Sequence, residues 1–130
     1  MSAEYVLSQG NRQVILCERG IKTFETALRY TLDISAVPVV KATSHLPVIV
    51  DPSHASGVRE FVPALAQAGI AAGADGIMVE VHDCPSKAMC DGPQALLPDQ
   101  FADMVRILQR LAATLGREFC NVPVLAPVQV

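Results

Sequence analysis

Three apolar runs, each ending in a cluster of chemically active residues, constrain this chain more than any other feature. Val14-Ile15-Leu16-Cys17 leads into Glu18-Arg19-Gly20, and Pro47-Val48-Ile49-Val50 into Asp51-Pro52-Ser53-His54. Gly76-Ile77-Met78-Val79 leads into Glu80-Val81-His82, and an Asp91-Gly92 turn follows. Such runs read as strands, the first from about Gln13 to Cys17. The second, apolar without alternation, reads as a strand covered on both faces. Helical spacing fills the gaps. Thr23 to Leu32 shows it at Phe24, Ala27, Leu28 and Thr31. Ile34 to Ser44 is ambiguous, because Ser35 and Pro38 suit a helix start while Val37, Val39 and Val40 favour extended chain. The immediate onset of the second strand at Pro47 tips it towards a short helix. Arg59 to Ala72 places Val62, Leu65, Ala66, Gly69 and Ala72 on one face, and Pro63 fits only a first turn. The clearest helix carries Phe101, Met104, Val105, Leu108, Leu111, Ala112 and Leu115, with Gly116 as its stop. Strands alternating with helices predict an α/β fold with a parallel sheet. Ligands gather where such strands end, and Arg19, His54, Glu80 and Asp91 all fall there.

At 130 residues, 51% of them hydrophobic, the chain can bury one substantial core. A net charge of −3 and scattered basic residues give no stripe for nucleic acid. The apolar stretches are too short to span a bilayer, and the N-terminus lacks the pattern of a secretory signal. Four cysteines without a regular framework suit a reducing, cytoplasmic setting. Cys17, within an apolar run, reads as a core residue. Cys84 and Cys90 flank a loop with no CxxC or CxxH spacing to make them metal ligands. The end of the chain, CNVPVLAPVQV, has no helical period and reads as an irregular tail over 120–130 or a peptide covering a sheet edge.

His54, Glu80 and Asp91 come from neighbouring strand ends and could meet at one point. An imidazole with carboxylates suits Mn, Fe, Co or Zn. Each also has a plainer reading: a polar loop histidine, a strand-end glutamate paired with an arginine, and a turn dipeptide. Arg19 could hold a phosphate or carboxylate bidentately beside Gly20, or pair with Glu18. Lys22, Arg29 and Lys87 read as solvated, and His45 as a loop residue. His82 sits two residues after Glu80, as a partner to the same site or as a solvated histidine.

ILCERG, TLDISAVP, LPVIVDPSHASG, GIMVEVH and Cys90-Asp91-Gly92-Pro93-Gln94-Ala95-Leu96 together resemble the C-terminal part of 3-deoxy-7-phosphoheptulonate (DAHP) synthases. The closest form is the type I group related to 3-deoxy-8-phosphooctulonate synthases, and CERG with TLDISAVP favours the heptulonate enzyme. The resemblance runs from about Ala3 to Phe119. It implies three consecutive units, the sixth to eighth, of a (β/α)8 barrel over residues 1–119, with Met1 opening midway through the fifth helix. A full barrel of this kind takes roughly 250 residues, so three units leave two open sheet edges and an apolar inner face in water.

The resemblance also implies chemistry. Such enzymes condense phosphoenolpyruvate with erythrose 4-phosphate, the first committed step towards shikimate and the aromatic amino acids. Carbon 3 of the enol phosphate attacks the aldehyde, water adds at carbon 2, and phosphate leaves. His54 of DPSH, Glu80 of VEVH and Asp91 before Gly-Pro-Gln match three metal ligands. Arg19 of CERG matches a phosphoenolpyruvate-binding arginine, so His54 and Arg19 are the expected catalytic pair. The family's cysteine ligand belongs to the first barrel strand and has no counterpart here; Cys17 sits at the sixth-strand position. The expected partners are the two substrates, the missing N-terminal barrel portion and, for a complete barrel, further copies of itself. A non-catalytic remnant, whether a truncated fragment or a metal-binding or interaction module, and an octulonate-type enzyme are the alternatives.

Overall fold

The computed structural model describes residues 2–120. Its element order is α1 (Ser2–Ser8), β1 (Leu16–Glu18), α2 (Ala36–Thr43), β2 (Val48–Val50), α3 (Pro52–Ser56), α4 (Val62–Ala71), β3 (Gly76–Ile77) and α5 (Pro98–Thr114). The strands form one parallel sheet in the order β1-β2-β3. Leu16, Cys17 and Glu18 align with Val48, Ile49 and Val50, and Ile49 and Val50 align with Gly76 and Ile77. The three strand ends therefore stand side by side. Among the described residues no helix is long and apolar enough to cross a membrane.

Side chains alternate across a sheet, and here the two faces differ. Val48 and Val50 are buried with Val37 of α2 and Ala74, and Leu16 and Ile77 pack against them. A second cluster joins Val62, Ala66 and Ile70 of α4 to Leu96 and to Met104 and Leu108 of α5. On the other face lie Cys17 and Ile49, extended by Ile15 and Met78. Ile15 is 60% and Met78 42% exposed. The second strand is thus covered on one face only, and Cys17 is not a core residue but exposed. Its thiol pKa is nevertheless raised, by partial burial first and then by the charges of Asp51 and Glu18, with Arg19 opposing.

Several elements follow the sequence patterns. Pro38 falls in the first turn of α2, although Ser35 at its N-cap makes no side-chain cap bond. Pro63 occupies the first turn of α4, and the stretch before it, Arg59–Phe61, is a 3-10 turn rather than part of one helix. Helix α5 buries Met104, Leu108 and Ala112 at intervals of four and closes before Gly116, whose φ is +68°. The expected tail lies, but for Cys120, outside the described residues.

Thr23 to Leu32 is not a helix. Its ends close an antiparallel bridge between Ile21 and Thr31. Inside, the Glu25 carboxylate accepts from the amides of Ala27 and Leu28, and Thr23 Oγ1 from the amide of Glu25. These local bonds satisfy the amides that a helix would have used. The amide of Ala27, against a small desolvation and with the amides of Leu28 and Thr26 adding to it, lowers the pKa of the exposed Glu25. Phe24, expected on a packed face, is 99% exposed. The segment is instead tied to the end of α3, with Arg29 N donating to Ser56 O and Tyr30 N to Ala55 O.

Asp75 locks the far end of the sheet. Its carboxylate accepts from Lys41 Nζ at 2.7 and 2.8 Å and from Val48 N at 2.9 Å. Burial pushes its pKa up, but Lys41, the Val48 amide and Arg117 together outweigh that, so the net shift is downwards from 3.8. A carboxyl lowered on folding stabilises the native state above its unfolded value, and that contribution fades as pH falls through the folded value. Asp75→Asn is expected to cost roughly 0.5–1.5 kcal/mol near neutrality, because the pair is part-exposed and the Asn oxygen keeps the Val48 bond. Urea midpoints measured down the acid range should show the gap between wild type and variant closing below pH 3.8. A gap independent of pH would contradict this account.

Candidate metal centre at the strand ends

The turn after β2 is a helix start. Asp51 caps α3, its Oδ1 accepting from His54 N at 3.0 Å, and Pro52 supplies a preset φ in the first turn. Gly57, at φ +69°, ends the helix in the left-handed conformation. One turn of helix thus replaces the expected loop and places His54 in a fixed attitude. Its ring Nδ1 lies 2.8 Å from Asp51 Oδ2, and its Nε2 lies 3.3 Å from Glu80 Oε1 and 3.8 Å from Asp91 Oδ2.

Glu80 arrives from just beyond β3. Its amide donates to Ser53 Oγ at 3.1 Å, which ties it to α3, and its carbonyl accepts from Leu96 N. Asp91 comes from the loop that follows. It has φ +54°, the one positive φ of a non-glycine residue among those described. An aspartate tolerates this conformation better than most residues, and such backbone clusters at functional sites. Gly92 has no room for a side chain, since a Cβ there would stand 2.3 Å from Pro85 O. Arg29 NH1 bonds Asp91 Oδ1 at 3.1 Å and Gln94 Oε1 at 3.0 Å, and Arg59 donates to the carbonyls of Gly92 and Ala95.

One ligand atom each from His54, Glu80 and Asp91 lies within 4.8 Å of the others. One nitrogen and carboxylate oxygens converging at that spacing, all half-buried, fit a divalent ion with coordination positions left open. Arg19 stands beside this group, its NH1 3.1 Å from Asp51 Oδ2 and its side chain 55% exposed. Its ion partner is therefore Asp51, from the adjacent strand end. Glu18 instead accepts from the amides of Gly20 and Asp33.

His82 turns away from the cluster: its Nδ1 accepts from Cys84 N at 2.9 Å and lies 3.0 Å from Asp83 Oδ1. His45, Lys22 and Lys87 are exposed, as read. Arg29 is not merely solvated, since it braces Asp91 across 62 residues of chain. No local signal could reveal that pairing. Asp51 carried a signal, an Asp-Pro helix start, although its contacts with His54 and Arg19 emerge only in three dimensions.

A scan against protein families matches residues 1–117 to the DAHP synthetase I family. The phospho-2-dehydro-3-deoxyheptonate aldolase of Thermotoga maritima is 54% identical over 116 residues, 89% of this chain and 34% of that protein. The 2-dehydro-3-deoxyphosphooctonate aldolase of Desulfosudis oleivorans is 39% identical over 124 residues, 85% of this chain and 44% of that protein. Among solved structures, a truncated form of the Thermotoga 3-deoxy-D-arabino-heptulosonate 7-phosphate synthase superposes with a TM-score of 0.88 at 54% identity, covering 90% of this chain and 45% of that one. The chain thus spans less than half the length of these relatives. The matched length, the identity and the agreement of the fold together establish that this chain belongs to the DAHP synthetase I family.

Proposed function

We propose that this chain forms the sixth to eighth units of a (β/α)8 barrel and contributes the metal-binding and phosphoenolpyruvate-binding residues of a DAHP synthase. The observation that carries the reading is the meeting of His54 Nε2 with Glu80 and Asp91 at the strand ends, beside Arg19. His54, Glu80 and Asp91 would hold Mn, Fe, Co or Zn. A divalent ion bound there supplies Lewis acidity to an aldehyde oxygen such as that of erythrose 4-phosphate. Arg19, half in solvent, would offset the charge of phosphoenolpyruvate. The 54% identity to a heptonate enzyme, against 39% to an octonate one, favours the four-carbon sugar phosphate.

The partial-barrel reading rests on open surfaces. β1 and β3 each pair on one side only within the sheet. A groove of about 750 Å³, lined by Ile77, Val79, Phe101, Met104 and Leu108 among others, runs beside β3. Together with exposed Ile15 and Met78, these surfaces suit an N-terminal barrel portion as occupant. Assembly of complete barrels into a homo-oligomer and a cytoplasmic setting belong to the same reading, and the unpaired state of Cys17, Cys84, Cys90 and Cys120 agrees with the latter.

Two outcomes follow. The 130-residue chain alone should release no phosphate from phosphoenolpyruvate and erythrose 4-phosphate at the rate of a complete enzyme, and adding a separately expressed N-terminal portion should raise turnover. Full activity of the chain alone would sink the partial-barrel reading. Within a completed barrel, His54→Ala, Glu80→Ala and Asp91→Ala should weaken metal binding, because each deletes a direct bond to the ion. Arg19→Ala should spare the metal and weaken phosphoenolpyruvate binding by about 1.5–3 kcal/mol, on the order of ten- to a hundredfold. Calorimetric titration of all four variants tests the roles. Loss of metal in Arg19→Ala with retention in His54→Ala would reverse the assignment.

A further inference from the structure

Asp51 is fully buried, yet its carboxylate faces three donors or potential donors. Oδ1 takes the His54 amide at 3.0 Å, while Oδ2 lies 2.8 Å from His54 Nδ1 and 3.1 Å from Arg19 NH1. A carboxylate oxygen can only accept, so Nδ1 carries the hydrogen. In the neutral ring Nε2 is then left with its lone pair, and that lone pair faces Glu80 Oε1 and Asp91 Oδ2. Three acceptors then converge with no hydrogen among them, an arrangement that a cation resolves.

We propose that Asp51 is the positioning residue of this centre: it fixes His54 in the Nδ1–H tautomer and so aims Nε2 as a metal ligand. The inference rests on the metal reading of His54, Glu80 and Asp91. Its two oxygens divide the work. One holds the helix start and the other holds the ring, so cap and tautomer can be separated by a nearly isosteric change. In Asp51→Asn the amide oxygen keeps the cap bond to His54 N, which puts the NH2 group where Oδ2 stood. That group donates to Nδ1, moves the ring hydrogen to Nε2 and blocks the ligand atom. Arg19 loses its acceptor in the same step.

Ring-nitrogen NMR of the metal-free chain, recorded at a pH where the spectrum shows the ring to be neutral, reads the tautomer directly. Wild type should show His54 protonated at Nδ1, and Asp51→Asn should show it protonated at Nε2. Zinc titration should then find the variant ten- to a hundredfold weaker, with Asp51→Glu recovering part of the loss and the Nδ1–H signature. Circular dichroism confirms that each variant keeps its helices. A wild-type ring protonated at Nε2 overturns the proposal without any variant. So does a folded Asp51→Asn that loses zinc affinity with its tautomer unchanged, or one that shifts the tautomer and binds zinc as before. Failure of the underlying reading looks different: wild type itself does not bind zinc, or binds it equally well after Glu80→Ala.

Discussion

Helix α4 lies so close on the sheet that any side chain at position 69 would press on its neighbours, and glycine stands there. A Cβ there would stand 3.2 Å from Val50 and 3.3 Å from Ile77. That contact fixes the helix against two strands at once, and the rest of the molecule depends on it. Val50 is completely buried beneath it and leads directly into Asp51. Ile77 leads, three residues on, to Glu80. The distance between α3 and the end of β3 is therefore set by close packing, which resists small displacements as a liquid-like interior would not. Polar bonds then refine what packing sets, as when the Glu80 amide donates to the hydroxyl oxygen of buried Ser53.

Much of this was legible in the sequence because the repeating signals were local. The βα order, the parallel sheet, the first-turn prolines and the α5 stripe of Met104, Leu108 and Ala112 follow from spacing and from the rigid φ of proline. Thr23 to Leu32 was misread because a spacing of three and four says nothing about whether a surface exists to receive it. Phe24 has none, and Glu25 and Thr23 spend their side chains on nearby amides. Cys17 was misread for a related reason. An apolar strand reads as core only if both sheet faces are covered, and here one is bare.

The candidate centre was legible as residue types at strand ends and illegible as a network. Nothing near Arg29 in the chain announces Asp91, and nothing near Arg59 announces the carbonyls it holds. These arginines perform a task that sequence reasoning assigned to no residue. They hold an irregular loop against the sheet so that its aspartate reaches the histidine. Charge-assisted bonds are stronger than neutral ones, and here, part-buried to exposed, they replace the backbone pairing that a regular element would have had.

The loop carrying Asp91 is also pinched at its base. Val81 and Leu96 form an isolated parallel bridge, with Leu96 N bonding Glu80 O and His82 N bonding Leu96 O at 2.9 Å. The clip separates two kinds of sequence freedom. Residues at its neck and the Asp91–Gly92 seat against Pro85 are confined by backbone geometry. The stretch near Met89, which is fully exposed, is confined by neither. Because closing a somewhat longer loop costs little extra entropy, this tip is where the chain can gain or lose residues while the strand ends below keep their spacing. The same protein can thus change the outline of the rim above its strand ends without rebuilding the floor.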